Sequence, residues 1–251
     1  MFLKIATLLF VSMFFSFSSF AGDIILDADN QVEYHQKEQK LVAKGNAVAS
    51  KDEMSIKADT LVGYYSSESK NKITRIEAHK NVFLKNGDTE ASGDQMTYDI
   101  SEDTAILTGS PAKIKNPDTT ITAQGDITYY QTAQKAIAKD NVIATDSKGN
   151  KVYGDLMTAW FKKDKNGKLI LDNVDIEQNA KIVSSDGTVT AKRGNYNAIT
   201  GVIKLFDDVE ITQKGNVLKG SRAETDLNTG ISKILSGNKR VSGVFKEKKK
   251  K

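Results

Sequence analysis

The chain has 251 residues, with 36 lysines and arginines against 32 aspartates and glutamates, 2 histidines and no cysteine. The formal charge of +4 belongs to the ends, Lys4 and the closing Lys246-Glu247-Lys248-Lys249-Lys250-Lys251, so the body is close to neutral and nucleic-acid binding is not implied. Without cysteine the core must hold itself without disulfides, and no Cys/His metal cluster can be built.

Met1-Phe2-Leu3-Lys4 precedes an uncharged run from Ile5 to Gly22 that closes on Ser19-Phe20-Ala21. A charged start, a short apolar stretch and small residues at the exit predict a signal peptide over 1–21, cleaved after Ala21. The alternative is a retained membrane anchor, because residues 5–22 supply 18 uncharged positions, the lower edge of a bilayer span. Ser12, Ser16, Ser18 and Ser19 argue against it. Residues 22–245 then form the folded domain and 246–251 a solvated basic tail, which could also be drawn to anionic lipid.

From here the chain repeats. Ala28-Asp29 leads to Tyr34, Ala58-Asp59 to Tyr64, Gly93-Asp94 to Tyr98, Ala123-Gln124 to Tyr129, Gly154-Asp155 to Trp160 and Ala191-Lys192 to Tyr196, with a weaker copy at Ala223-Glu224. Successive aromatic residues are separated by 30, 34, 31, 31 and 36 positions, the signature of a tandem array. Each unit has a second half that enters an apolar strand from a small or polar residue. Gly45-Asn46, Lys80-Asn81, Gly109-Ser110, Asp140-Asn141, Gln178-Asn179 and Asp207-Asp208 mark these entries. Asparagine there is expected as a turn residue that tolerates the left-handed backbone region.

Asn86-Gly87-Asp88, Asn116-Pro117-Asp118, Lys148-Gly149-Asn150, Asp186-Gly187 and Lys214-Gly215-Asn216 read as hairpin turns. Between the turns apolar residues alternate. Ile121, Ala123, Gly125, Ile127 and Tyr129 share one face, as do Leu26, Ala28, Val32 and Tyr34, and Ile56, Ala58, Val62 and Tyr64. The pattern predicts an all-β protein of on the order of fourteen antiparallel strands, a number at which a sheet folds over. Its first and last strands would present unpaired edges, which points to head-to-tail association.

The repeated small-Asp-x-x-x-x-Tyr and Gly-Asn-x-Val halves resemble those of the periplasmic lipopolysaccharide-transport proteins of the LptA/OstA family. The closing Gly220-Ser221-Arg222-Ala223-Glu224-Thr225-Asp226-Leu227-Asn228-Thr229-Gly230 and Arg240-Val241-Ser242-Gly243-Val244-Phe245 strengthen the likeness, which spans about Asp23 to Phe245. Gln124 and Lys192 depart from the aspartate pattern. The resemblance implies a twisted β-jellyroll, folded like a trough, whose apolar interior holds the lipid A acyl chains of lipopolysaccharide. It also implies periplasmic location, end-to-end stacking between an LptC-like inner-membrane partner and an LptD-like outer-membrane one, no cofactor, and an energy source in a partner ATPase.

Repeat parity nominates Leu26, Tyr34, Ile56, Val62, Tyr64, Leu84, Met96, Tyr98, Ile127, Tyr129 and Trp160 as interior, lipid-contacting positions. Many of their neighbours are Ala or Gly, which leaves room that a lipid could fill. The same alternation would also suit a dry β-repeat scaffold, and a retained anchor would suit the LptC-like partner. No catalytic residue is nominated: His35 and His79 stand in polar contexts, and no nucleophile elbow or phosphate loop occurs. No metal site is expected either. The unit-opening aspartates fall in different rungs and are read as hydrogen-bonding at turns or strand entries, and Asp164-Lys165-Asn166-Gly167 lacks the rest of a calcium loop and reads as a hairpin turn.

Overall fold

The structure, a computed structural model, describes residues 24–66, 72–237 and 240–245. The expected signal peptide and lysine tail lie outside these residues. Two compact units divide the chain between Lys139 and Asp140. In the N-terminal unit the strands are β1 (Ile25–Asp27), β2 (Gln31–His35), β3 (Lys40–Lys51), β4 (Met54–Ser66), β5 (Lys72–Asn86), β6 (Thr89–Asp99), β7 (Thr104–Thr108), β8 (Ala112–Lys115), β9 (Thr119–Ala123) and β10 (Asp126–Tyr130). β11 (Lys135–Asp146) crosses the boundary. The C-terminal unit holds β12 (Lys151–Lys163), β13 (Leu169–Ser184), β14 (Gly187–Asn197), β15 (Val202–Gln213), β16 (Asn216–Asp226), β17 (Ile231–Leu235) and β18 (Ser242–Val244).

Within both units every described pairing is antiparallel, and those that skip a segment, β1 with β3, β6 with β8, β7 with β10 and β16 with β18, do so only because a lane is broken into two segments. The eighteen segments occupy fourteen lanes, because β1 with β2, β7 with β8, β9 with β10 and β17 with β18 are lanes broken in the middle. Side chains close the turns as their composition predicts. Asn116 Oδ1 accepts from the amides of Asp118 (2.9 Å) and Thr119 (2.8 Å), and Asp146 Oδ1 from Lys148 (2.9 Å) and Asn150 (2.8 Å). The Asp164 carboxylate is likewise spent on the amides of Asn166 (2.8 Å) and Lys168 (2.9 Å), as befits a hairpin turn.

The residues expected as turns at strand entry do something else. Gly45-Asn46, Lys80-Asn81, Gln178-Asn179 and Asp207-Asp208 lie in the middle of long strands, with positive φ throughout. Each pair stands opposite one residue of the next strand, respectively Asp59, Asp94, Lys192 and Ser221. They are β-bulges, which bend a strand and sharpen its twist. Repetition in successive lanes makes a crease across each unit.

The unit-opening aspartates fasten this crease. Asn46 Nδ2 donates to Asp29 Oδ2 at 2.7 Å, Asn81 Nδ2 to Asp59 Oδ1 at 2.9 Å and Asn179 Nδ2 to Asp155 Oδ2 at 2.6 Å. Where Lys192 replaces the aspartate, Asp208 replaces the asparagine, and the clasp becomes an ion pair of 3.0 Å.

One face of the sheet is buried on both sides of the crease, and among the described residues there is no helix to cover it. Within each unit the two halves of the strands therefore cover each other, a sheet folded along its bulges. Small residues crowd the crease because backbone approaches backbone there. A Cβ on Gly93 would stand 2.4 Å from the Thr108 carbonyl oxygen, and one on Gly109 2.9 Å from the Gly93 Cα. Ala47, Ala58, Ala112 and Ala123 are buried on the same line. Part of the Ala/Gly content read as room for lipid is thus demanded by the fold itself.

Candidate functional site

The covered face is organised as rows that run across the strands. In the N-terminal unit one row passes through Ala43, Leu61, Ala78, Met96, Leu107, Ile127 and Ala138, each directly opposite the next and all buried. On the far side of the crease a second row runs Leu26, Ala49, Ile56, Leu84, Ala91, Ile114 and Ile121. A third, nearer the strand ends, runs Tyr34, Leu41, Gly63, Ile76, Tyr98, Ala105, Tyr129 and Ala136.

The C-terminal unit repeats the scheme with Met157, Ile176, Gly194, Leu205, Ala223 and Ile234. Across its crease stand Val152, Ile182, Val189, Ile211, Leu218 and Gly243.

Of the nominated residues, Ile56, Leu84, Met96, Tyr98, Ile127 and Tyr129 are buried in these rows. Leu26 is half-buried on the second row, at the edge. Tyr34 has the expected face, but it belongs to edge strand β2 and is 58% exposed, its ring stacked on Tyr65 with centroids 5.6 Å apart.

Val62, Tyr64 and Trp160 were expected inside and are on the other face. The inward sequence of β4 is Ile56 and Ala58, then Leu61, Gly63 and Tyr65. In β12 it is Val152 and Gly154, then Met157, Ala159 and Phe161. Strict alternation slips by one residue where an unbroken strand passes a bulge in its neighbour, while the bulged strand itself keeps its parity, as from Ala43 to Ala47. The aromatic residue four positions after the unit opening is then inward, as at Tyr98 and Tyr196, and the one five positions after it is outward, as at Tyr64 and Trp160. In the broken lanes the gap restores the parity at five, which places Tyr34 and Tyr129 inward.

Tyr64 instead lies under the Arg75 guanidinium, 5.3 Å from its ring centre, and donates to Glu77 Oε2 at 3.3 Å. Val174 and Leu205 keep plain alternation across their strands' bulges and were simply not nominated, whereas parity counted without the bulge missed Leu61, Met157 and Phe161. The positive-φ asparagines, visible in the sequence, were the signal that would have found them.

The polar groups of the outer face make small ion-pair sets. Glu33 meets His35 Nε2 at 2.6 Å and Lys44 Nζ at 2.7 Å, and hydrogen bonds from Lys44 and then His35 pull its carboxyl down to about 2. Glu77 meets Arg75 and His79. Inside, burial and then the Asp103 carboxylate push the Tyr98 phenol up to about 12, the Tyr129 phenol likewise. An open cavity of about 240 Å³ at the hairpin ends is lined by Lys85, Asp88, Glu90 and Lys115, away from the apolar rows. Among the described residues no group of three or more His, Cys, Asp or Glu side chains could hold a metal ion.

The class so defined is that of antiparallel tandem-repeat β proteins whose apolar rows are buried within each unit. The chain matches the LptA/(LptD N-terminal domain) LPS transport protein family twice, over residues 26–135 and again over 113–231. It belongs to that family, which places it in lipopolysaccharide transport and not among enzymes. Among solved structures it is similar to LptH from Pseudomonas aeruginosa, described as the LptA homologous periplasmic component of the conserved lipopolysaccharide transport device. The identity is 12%, with 90% of this chain and 96% of that one covered, at a TM-score of 0.20. No curated protein matches the chain.

Proposed function

We propose that this chain is a periplasmic carrier that receives lipopolysaccharide from an inner-membrane partner of LptC type and passes it toward an outer-membrane partner of LptD type, holding the acyl chains against its inward rows. The supporting observation is the continuity of those rows out to edge strands, where Val32 and Tyr34 are exposed and Ile234 is half-buried. The same edges are the joints to neighbours. Protein side chains already bury the central row, Ala43 to Ala138, so loading requires the two layers of a unit to part. Each acyl methylene taken from water into the rows contributes about 0.8 kcal/mol. Export with cleavage after Ala21 delivers the protein to the periplasm, and the mass of the mature N-terminus tests this against a retained anchor.

A photo-crosslinker at Tyr98 is expected to capture lipopolysaccharide, and one at Thr97, on the other face of the same strand, to capture none. The reverse outcome would overturn the face assignment. A dry scaffold is the second reading, favoured by burial as complete as that of Leu84, 1% exposed. It predicts no binding of lipid A by the delipidated protein.

A further inference from the structure

On the outer face of the N-terminal unit the two layers handle charge differently. In the layer that carries Tyr64, cations are matched to carboxylates. Lys40 meets Glu38, Lys44 meets Glu33 at 2.7 Å, Arg75 meets Glu77 and Lys139 meets Asp126 at 3.2 Å. Across the crease two outward rows flank the inward row from Leu26 to Ile121. One runs Lys57, Phe83, Ser92, Lys113 and Thr122, the other Ser55, Lys85, Glu90, Lys115 and Thr120. Lys57, Lys85, Lys113 and Lys115 are exposed, and among the described residues none of them makes an ion pair, although Glu90 stands directly opposite both Lys85 and Lys115.

These lysines do not blunt a strand edge, because β4, β5 and β8 each have a neighbour on both sides. The equivalent outward row of the C-terminal unit is engaged within the protein. There Lys219 meets Glu210 at 2.7 Å, and Lys181 lies 5.5 Å from the centre of the Tyr153 ring.

Neighbouring lanes stand about 4.8 Å apart, so the three lanes from Lys57 to Lys113 spread the ammonium groups over about 14 Å. The hydroxyls of Ser55, Ser92, Thr120 and Thr122 lie among them as further donors, with Phe83 half-buried in the middle. The open cavity at the hairpin ends offers a single anion Lys85 and Lys115, but it sets Asp88 and Glu90 beside it. A spread of phosphates suits the spread of donors better than one small anion does.

We infer that this face seats the N-terminal unit on an anionic lipid surface, with the four lysines against headgroup phosphates and Phe83 at the interface between them. The contact is peripheral, and it is independent of whether lipid fills the inward rows.

The test uses the mature chain, residues 22–251, with the basic tail kept in every variant. Lys57→Gln, Lys85→Gln, Lys113→Gln and Lys115→Gln are combined in one variant. Lys163→Gln, Lys165→Gln, Lys168→Gln and Lys204→Gln, at exposed positions of the C-terminal unit, are combined in another, so that net charge falls equally. The parent is expected to bind vesicles of equal parts phosphatidylglycerol and phosphatidylcholine at low salt, to leave them as salt rises, and to ignore phosphatidylcholine alone. The first variant should bind more weakly by on the order of a hundredfold, the second by only severalfold.

A second readout leaves the lysines in place. The chain has one tryptophan, so Phe83→Trp in a Trp160→Phe chain reports from the face itself. Its emission should shift to the blue with the anionic vesicles only. Equal losses in the two lysine variants, an unshifted emission or a parent that does not bind would each overturn the inference. Competition by inorganic phosphate beyond that of chloride at equal ionic strength would assign the face to single anions instead, and capture of an acidic protein without vesicle binding would assign it to a protein partner. Lipopolysaccharide capture at Tyr98 reads the carrier function separately, so either can fail alone.

Discussion

Asp155 and Asn179, 24 residues apart in sequence, are joined by a hydrogen bond of 2.6 Å in which the carboxamide donates to the carboxylate, across the bulge that bends β13. Asn179 has φ of 55°, and its neighbour Gln178 of 60°. The side chain therefore both tolerates the left-handed conformation and anchors it to the strand beside it. Asn179→Val is expected to cost about 1–2 kcal/mol, since a β-branched residue is poorly accommodated there, and Asn179→Gly clearly less. Thermal melts of the two variants, monitored by circular dichroism, check this order.

Lys192 and Asp208 perform the same task with charges at 3.0 Å, and both side chains are well exposed. Exposed pairs contribute about 0–1 kcal/mol, so the single change Lys192→Asp should act mainly by setting a new carboxylate against Asp207 and Asp208. Adding Asp208→Asn rebuilds the clasp used elsewhere in the array and should recover the stability. A double-mutant cycle in urea would show a favourable coupling, and simple additivity would dispose of the equivalence.

Leu84 is fully buried in the row across the crease, while Trp160 stands half-buried on the opposite face. Leu84→Ala should destabilise by about 2–5 kcal/mol. Trp160→Ala, although it deletes the larger side chain, is expected to cost less than Leu84→Ala. Urea midpoints measured by far-ultraviolet circular dichroism compare the two, and a larger loss at Trp160 would contradict the parity assigned to β12.

The phenols of Tyr98 and Tyr129 are raised from 10.0 to about 12, chiefly by burial. A raised folded pKa favours the neutral form, so this contribution is complete below pH 10 and is lost as the pH climbs toward about 12. Alkaline titration should show tyrosine ionisation coinciding with loss of structure in that window. Tyr98→Phe removes one titrating group and should move the transition to higher pH.

The fourteen lanes, their antiparallel order and the chemistry of their turns were legible in the sequence, because alternation and Asn/Asp/Gly turns are local properties that each segment states by itself. Ile127 and Tyr129 could be placed inside from spacing alone, as could Leu84 and Tyr98. Tyr64 and Trp160 could not. Their side depends on how many residues an unbroken strand spends passing a two-residue bulge in its neighbour, and that count belongs to the pair of strands.

Tyr34 shows the same limit in another form. Its parity was readable, but its exposure follows from its lane having a neighbour on one side only. The sequence by itself determined the repeat, the strand content and the absence of a recognisable catalytic set, since these rest on residue types and their spacing. Only the tertiary structure decided which aromatic residues face the interior and where the rows come to an end. Both depend on register across the crease, which is set by contacts between segments some 30 residues apart, as Asp29, Asp59 and their asparagine partners illustrate.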